Sequence, residues 1–227
     1  MANRKMVIVL DTETCNGIVV DDKLDLSQSI VYDLGWQVVD LHGNIYERRS
    51  FVVYDSFVGM KDVMKSAYYA NKIPRYEEQI ASGERKLVRF ETARKIFLED
   101  MERYNVSTVS AHNARFDYNA LNNSQRYFTK SVKRYFLPYG TEIWDTLKMA
   151  RQTYGQEWGY RKFCEENGYM TNHKKPRVRL TAEILYRYIS GNDDFEESHT
   201  GLEDVEIETE LLWAMLKKHK KLDRALW

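Results

Sequence analysis

The sequence predicts an α/β fold in which a mixed β-sheet is flanked by helices. Three observations lead to this expectation: a short apolar run near the first residues, two strand-like segments joined by a tight turn, and later helical segments that alternate with short apolar ones. Strands that come first, followed by helices alternating with strands, are typical of a mixed sheet covered by helices. A chain of 227 residues, 43% of them hydrophobic, fits a single domain over residues 1–227 with a real core.

The predicted strands differ in their patterns. Met6–Leu10 is apolar without alternation, as is typical of a central strand covered on both faces. Two longer strands, Ser29–Val39 and Ile45–Val53, are joined at His42-Gly43-Asn44, which is a hairpin signal. Two further short strands are expected at Val106–Ser110 and Glu142–Trp144.

Helices are predicted where apolar residues recur at a spacing near 3.6. These segments are Lys86–Tyr104, Arg115–Phe128, Tyr160–Asn167, Thr181–Ile189 and a last one from Gly201 to about Lys218. Residues at about 55–83 interrupt the strand pattern and are predicted to form a short helical insertion around Pro74. Its apolar members are Met60, Met64, Tyr68, Tyr69, Ile73 and Tyr76, and the sequence assigns it no role.

The composition excludes some classes of protein. Lys plus Arg equals Asp plus Glu at 34 each, so no global basic field favours a protein that wraps long duplex DNA. The two cysteines, Cys15 and Cys164, form no CxxC zinc motif and are expected to be reduced thiols. The apolar run at Met6–Leu10 is too short for a secretory signal or a membrane span. We therefore expect a soluble cytoplasmic protein with no membrane partner.

Two carboxylates follow the first predicted strand in the sequence LDTETC. Asp11 and Glu13 are two residues apart, so their side chains share one face of a strand. Two like charges ~4 Å apart repel by about 4 kcal/mol at an effective dielectric of 20. A shared proton, a basic partner or a cation would offset that repulsion. The alternative is a solvated strand end where both side chains face water.

Asp117 is the next unusual carboxylate. It falls near the middle of the apolar stripe of the helix predicted at Arg115–Phe128, where an unpaired charge is costly to bury. A carboxylate in that position usually has a ligand, a cation or a charged partner. Asn113, just before the helix, is either its N-cap or a substrate contact, and both readings stay open.

A third group of polar residues lies in SHTGLEDVEIE. Thr200 and Glu203 form a T-x-x-E capping box that predicts a helix start at about Gly201. His199 therefore lies just outside the helix, where its imidazole is free to reach a site. Asp204 lies roughly 130° from the centre of the apolar stripe, so periodicity alone predicts a solvated charge. Its assignment to a site rests on the motif.

These three segments resemble a known family. DTET, AHNARFD and H-x4-D, in that order, are similar to the three motifs of the DEDDh 3′–5′ exonucleases. That family includes the proofreading subunit of bacterial replicative polymerase, RNase T and oligoribonuclease. The motifs span Asp11 to Asp204, and Thr200 stands where a sister group has tyrosine, so the histidine form fits. The resemblance implies a ribonuclease-H-like fold and one exonuclease domain; Cys15-Asn16, where the family often has Thr-Gly, departs from it.

The resemblance also implies a two-metal site with a histidine base. Asp11 would bridge two Mg²⁺ or Mn²⁺ ions. Glu13 and Asp204 would complete the site that activates water, and Asp117 would support the second ion. His199 would be the general base, which suits an imidazole of pKa near 6.5. Carboxylate oxygens are ligands that both ions accept.

The implied substrate is the 3′ end of single-stranded DNA or RNA, released as nucleoside 5′-monophosphates. Candidate substrate-binding residues are Thr12, Thr14, Asn113 and Phe116, and Phe116 is either a core residue or stacks on a terminal base. A polymerase or replication complex is a further candidate partner. Two basic segments, His173–Arg179 and the group Lys130, Lys133 and Arg134, either contact a phosphate backbone or are solvated loops.

Two alternative functions share part of this pattern. A haloacid-dehalogenase-like phosphatase would need Asp in place of Glu13 and Thr in place of Cys15. A non-catalytic nucleic-acid-binding or polymerase-associated scaffold protein could use the same fold. Concentrated negative charge near phosphates gives pure binding no advantage, so the acidic residues favour the exonuclease.

Overall fold

The computed structural model describes residues 4–16, 18–20, 23–65, 67, 70–218 and 221–226. Its strands are β1 (Met6–Cys15), β2 (Ile18–Val20), β3 (Lys23–Asp25), β4 (Ile30–Asp40), β5 (Ile45–Val53), β6 (Lys86–Val88), β7 (Thr108–Ala111) and β8 (Glu142–Asp145). Six of them form one sheet in the order β6-β5-β4-β1-β7-β8, and β2 pairs with β3. β1 and β5 are antiparallel to β4, whereas β7 is parallel to β1 and β8. The predicted class, an α/β ribonuclease-H-like mixed sheet flanked by helices, is confirmed.

The helices are α1 (Tyr54–Phe57), α2 (Lys61–Met64), α3 (Ile73–Ala81), α4 (Phe90–Arg103), α5 (Arg115–Phe128), α6 (Thr146–Gln152), α7 (Trp158–Glu166), α8 (Ala182–Ser190) and α9 (Gly201–Lys218). Short 3-10 turns lie at Ala70–Lys72 and Tyr154–Gln156. Within the described part of the chain, no helix is long and apolar enough to cross a membrane.

β1 divides the core into two layers because its side chains alternate between the two faces of the sheet. Ile8 and Leu10 pack with residues of α4 and α5 in one cluster. Val7 and Val9 pack with residues of α6 to α9 in the other. This burial on both faces explains why the start of β1 is apolar without alternation.

Two boundaries differ from the predictions by more than two residues. β1 continues to Cys15, five residues beyond its predicted end, because it pairs with β4 along its whole length. The predicted helix Lys86–Tyr104 is wrong at its start. Lys86–Val88 is instead an edge strand parallel to β5, and the helix begins at Phe90. Pairing with the exposed edge of β5 overrides the helical periodicity there.

The predicted helical insertion at about 55–83 is confirmed, since α1, α2 and α3 fall within it. Tyr32 of β4 and Phe57 and Tyr76 of the insertion form a separate buried cluster against the sheet. Tyr68 and Tyr69, predicted as apolar members of the insertion, lie outside the described residues.

Candidate active site

The site forms where β1 meets the first turn of α9. Asp11 of β1 is opposite Gly35 of β4 in the sheet register. A Cβ added at Gly35 would lie 2.3 Å from the carbonyl carbon of Gly201, the first residue of α9. Only a residue without a side chain permits this approach. The start of α9 therefore rests directly on the sheet beside Asp11.

The alternation along β1 decides which helix each side chain meets. Asp11 and Glu13 continue the face of Val7 and Val9, against which α9 packs, as predicted for carboxylates two residues apart. Thr12 is directed to the opposite face, where its Oγ1 donates a hydrogen bond of 2.7 Å to Oδ1 of Asp117 in α5. β1 therefore lies between α9, which carries Asp204, and α5, which carries Asp117.

The acidic side chains are gathered in the interior. Glu13 is 8% exposed, and Asp117 and Asp204 are each 3% exposed, whereas Asp11 is partly exposed. One potential ligand atom each from Glu13, His199 and Asp204 lies within 4.8 Å of those of the other two. The alternative of a solvated strand end is therefore wrong for Glu13. These three side chains could hold a metal ion.

Burial dominates the electrostatics of the cluster. It raises the pKa of Asp117 to about 7, that of Asp204 to about 8 and that of Glu13 to about 9. Burial also raises the pKa of Asp11 well above its usual range, and the neighbouring carboxylates add to this rise. At neutral pH the cluster must retain protons or be neutralised by a cation.

Asp117 faces the interior, as its place in the apolar stripe predicted. Tyr127, an apolar residue near the end of the same helix, is 65% exposed. The reading of Asn113 as the N-cap of α5 is wrong, because Ala114 occupies that position. Asn113 has a left-handed backbone (φ 64°), and its N–H donates to Oδ1 of Asp145 at 3.1 Å. Its contact with substrate stays a prediction.

His199 lies in the turn before α9 with a left-handed backbone (φ 50°). Its Nδ1 is 3.8 Å from a carboxylate oxygen of Glu197. Burial, and then the charge of Lys72, lower the pKa of His199. The imidazole is therefore neutral at pH 7 and able to accept a proton. The helix begins at Gly201 as predicted, and Oγ1 of Thr200 donates to the Glu203 carboxylate at 2.9 Å.

Asp204 contradicts the periodicity argument, which predicted a solvated charge. α9 packs against β1, β4 and α8, so more than one of its faces is buried. Glu208, one turn beyond Asp204 on the same side, was missed although the spacing of four residues could have indicated it. Glu208 is buried, and its Oε2 accepts a hydrogen bond of 3.0 Å from the N–H of His112. Its charge contributes to the raised pKa of Asp11.

The insertion supports the segment that carries His199. Buried Asp33 of β4 accepts hydrogen bonds from Tyr76 Oη at 2.6 Å, Arg85 Nη1 at 2.7 Å and the N–H of Gly201 at 3.0 Å. Lys72, also in the insertion, donates to the carbonyl oxygen of Ser198. The insertion, which had no role in the sequence analysis, therefore fixes both the start of α9 and the turn before it.

A cavity of about 1000 Å³ opens above this cluster. Its acidic side is lined by Asp11, Glu13, Glu197, Asp204 and Glu208, together with His112 and His199. Thr12 and Asn113, two of the predicted substrate-binding residues, also line it. Thr14 and Phe116, the other two, are half-buried and do not line this cavity.

Comparisons with known proteins give little further information. No family model matches the sequence, and no curated protein matches it. Among solved structures, this chain is similar to one described as "Exonuclease X in complex with 5' overhanging duplex DNA". The two share 17% identity over 95% of this chain and 93% of that chain, with a TM-score of 0.46. A likeness of this degree carries no conclusion about function.

Proposed function

We propose that the protein is a metal-dependent 3′–5′ exonuclease of the DEDDh type. It would hydrolyse the terminal phosphodiester of single-stranded DNA or RNA and release nucleoside 5′-monophosphates. The observation that carries this proposal is the convergence of Glu13, His199 and Asp204, residues from opposite ends of the chain, within 4.8 Å at the floor of a large cavity. A polymerase or replication complex is a candidate partner of the same proposal, on the family resemblance alone.

The donor set fits divalent cations of the Mg²⁺ and Mn²⁺ type. Asp11, Glu13, Asp117 and Asp204 supply carboxylate oxygens, which are the ligands these ions accept. Burial raises the pKa of all four side chains, although the charge of Lys72 opposes the rise at Glu13 and Asp204, and a bound cation would stabilise the ionised forms. When bound, paired cations stabilise the attacking and leaving oxygens of a phosphodiester.

His199 would take the proton of the attacking water. Its lowered pKa keeps the imidazole neutral and ready to accept that proton at pH 7. The Glu197 carboxylate, 3.8 Å from Nδ1, would stabilise the imidazolium that forms. Thr12 would hold the Asp117 carboxylate in one orientation through its 2.7 Å hydrogen bond.

The test uses single-stranded DNA and RNA labelled at the 5′ end, each with and without Mn²⁺. We expect a ladder that shortens from the 3′ end, requires the metal and is absent in Asp11→Asn. His199→Ala leaves in place the four carboxylates that would hold the ions, so it should still bind Mn²⁺ but lose rate by ~10²–10⁴-fold, the usual contribution of a general base. Glu210→Gln, an exposed change on the same helix as Asp204, is the matched control and should leave the ladder unchanged.

Two outcomes would contradict the proposal. Cleavage that persists in Asp11→Asn would place the chemistry elsewhere. Tight strand binding by the wild type with no cleavage in Mg²⁺ or Mn²⁺ would support the non-catalytic alternative instead.

A further inference from the structure

The cavity above the acidic cluster has a second wall of opposite charge. Four arginines line it: Arg151 at the end of α6, Arg161 in α7, and Arg177 and Arg179 in the segment after α7. All four arginines are exposed to solvent. Five carboxylates also line this cavity, so its lining is divided between acidic and basic side chains. We call these four residues the arginine wall.

The segment that carries Arg177 and Arg179 is an ordered hairpin. Met170 and Val178 form an antiparallel bridge. The N–H of Thr171 donates to the carbonyl of Arg177 at 2.8 Å, and the N–H of Arg179 donates to that of Tyr169 at 3.0 Å. Because the backbone groups are paired within the hairpin, it presents its arginines from a fixed position.

The hairpin is also tied to the acidic cluster. His112 Nε2 contacts the carbonyl oxygen of Leu180, directly after the hairpin, at 2.7 Å. The backbone N–H of His112 donates to Oε2 of Glu208 at 3.0 Å. Its Nδ1 lies 3.0 Å from Oγ1 of Thr146, at the start of α6. His112 therefore links the arginine wall to the carboxylates across the cavity.

The guanidinium groups of this wall are available to a ligand. Within the described ranges, Arg151, Arg177 and Arg179 make no side-chain hydrogen bond or ion pair with a carboxylate. Arg161 pairs with Glu165 at 2.9 Å, but both side chains are more than half exposed, and such a surface pair is weak. Arginine is the side chain best suited to a phosphate, since its planar fork donates two parallel hydrogen bonds.

We propose that the arginine wall binds the phosphate backbone of a single nucleic-acid strand, just 5′ of the phosphodiester that lies over the acidic cluster. The inference rests on the proposed function and names the residues that would hold its single-stranded substrate. The arginine wall can contact one sugar-phosphate backbone, whereas the end of a duplex presents two. The formal net charge of the chain is zero, so no wider basic field is present to hold a second strand.

Fluorescence anisotropy tests this inference with a labelled single strand of about ten nucleotides. All proteins carry Asp11→Asn in the presence of Mg²⁺, so that binding is measured without cleavage. The variant is Arg177→Gln with Arg179→Gln. The matched control is Lys130→Gln with Lys133→Gln in the other predicted basic segment, which is an exposed loop outside the cavity and which the proposal assigns to solvent. That loop follows α5, whose end lies 11 residues and about 16 Å beyond Asp117 along the helix axis.

We expect the arginine variant to bind about tenfold more weakly at low salt, since two solvent-exposed charge contacts are lost. The slope of log affinity against log salt should become shallower by about 0.7 for each lost phosphate contact, or about 1.4 in total. The lysine control should keep the slope of the parent. A blunt duplex of the same length should bind more weakly than the single strand.

An unchanged slope in the arginine variant would overturn the inference, as would an equal change in the lysine control. Binding of the parent protein too weak to measure, or a duplex bound as tightly as the single strand, would also overturn it. The failure of the proposed function is separable, because wild-type cleavage is measured independently. If the arginine variant shows a reduced salt slope but the wild type cleaves nothing, the arginine wall binds the strand and the proposed hydrolysis is wrong. If the slope is unchanged but the wild type cleaves from the 3′ end, the hydrolysis stands and the role of the arginine wall is wrong.

Discussion

The metal-free protein should lose stability as the pH rises through the neutral range. Burial raises the pKa of Glu13 to about 9 and that of Asp204 to about 8 in the folded state. An unfolded chain would lose these protons near pH 4. Between those limits the folded state holds protons that the unfolded state lacks, so the free energy of unfolding falls with increasing pH. The stabilisation is complete at low pH and disappears as the pH passes the folded pKa values.

The size of the effect follows from the number of retained protons. Each proton that the folded cluster retains contributes a slope of about 1.4 kcal/mol per pH unit, and a single retained proton is the smallest case. From pH 6.5 to 8 the loss is then about 2 kcal/mol, which lowers the melting temperature by about 4–8 °C for a chain of this size. The range begins at pH 6.5 because His112 and His199, with lowered pKa values, act in the opposite direction at lower pH.

Thermal unfolding with a chelator present, repeated across this pH range, provides the assay. Asp204→Asn removes one of the crowded charges and should flatten the dependence, whereas Glu210→Gln on the same helix should not. Mn²⁺ at about 100 times its dissociation constant should add about 2.7 kcal/mol to the stability of the wild type at pH 8. A melting temperature that stays level or rises from pH 6.5 to 8 without metal would refute the reasoning. An equal Mn²⁺ effect in Asp204→Asn would refute the assignment of that residue.

Two further predictions concern the way the site is held together. Gly35→Ala places a Cβ 2.3 Å from the Gly201 backbone, so it should displace the start of α9, cost about 1–3 kcal/mol and weaken Mn²⁺ binding measured by calorimetry. An unchanged Mn²⁺ affinity in that variant would show that the close approach does not position the carboxylates. Arg85→Ala leaves the buried Asp33 carboxylate without its cation and should cost about 3–5 kcal/mol in chemical denaturation. Tyr76→Phe removes only a hydrogen bond to Asp33 and should cost about 1–3 kcal/mol, so equal losses in the two variants would contradict the role of charge.

Several elements of the fold could be predicted because their patterns are local. The apolar run at Met6 predicted a central strand, and the bounds of Ile45–Val53 and Arg115–Phe128 agree with the structure. The burial of Asp117 was also predictable, since a single helix face determines it. In each case the neighbouring residues along the chain contain the whole signal.

The features that could not be predicted depend on tertiary contacts. Asp204 is buried because α9 packs against β1, β4 and α8 together, and a helical wheel assumes one buried face. Lys86–Val88 becomes a strand only because the edge of β5 is free to pair with it. Lys72 reaches the turn before α9 from a position 126 residues earlier in the chain. These contacts join residues that are far apart in the sequence, so no local pattern predicts them. Glu208 and the supporting role of the insertion were both missed for this reason.

The most direct test of the two-metal site is a crystal structure with Mn²⁺ and a nucleoside 5′-monophosphate, using the anomalous scattering of manganese to locate the ions. We expect two peaks about 3.5–4 Å apart. They should be held by carboxylate oxygens of Asp11, Glu13, Asp117 and Asp204 at about 2 Å, with the phosphate beside them. A site without manganese, or manganese bound only by the exposed carboxylates of α9, would contradict the central claim.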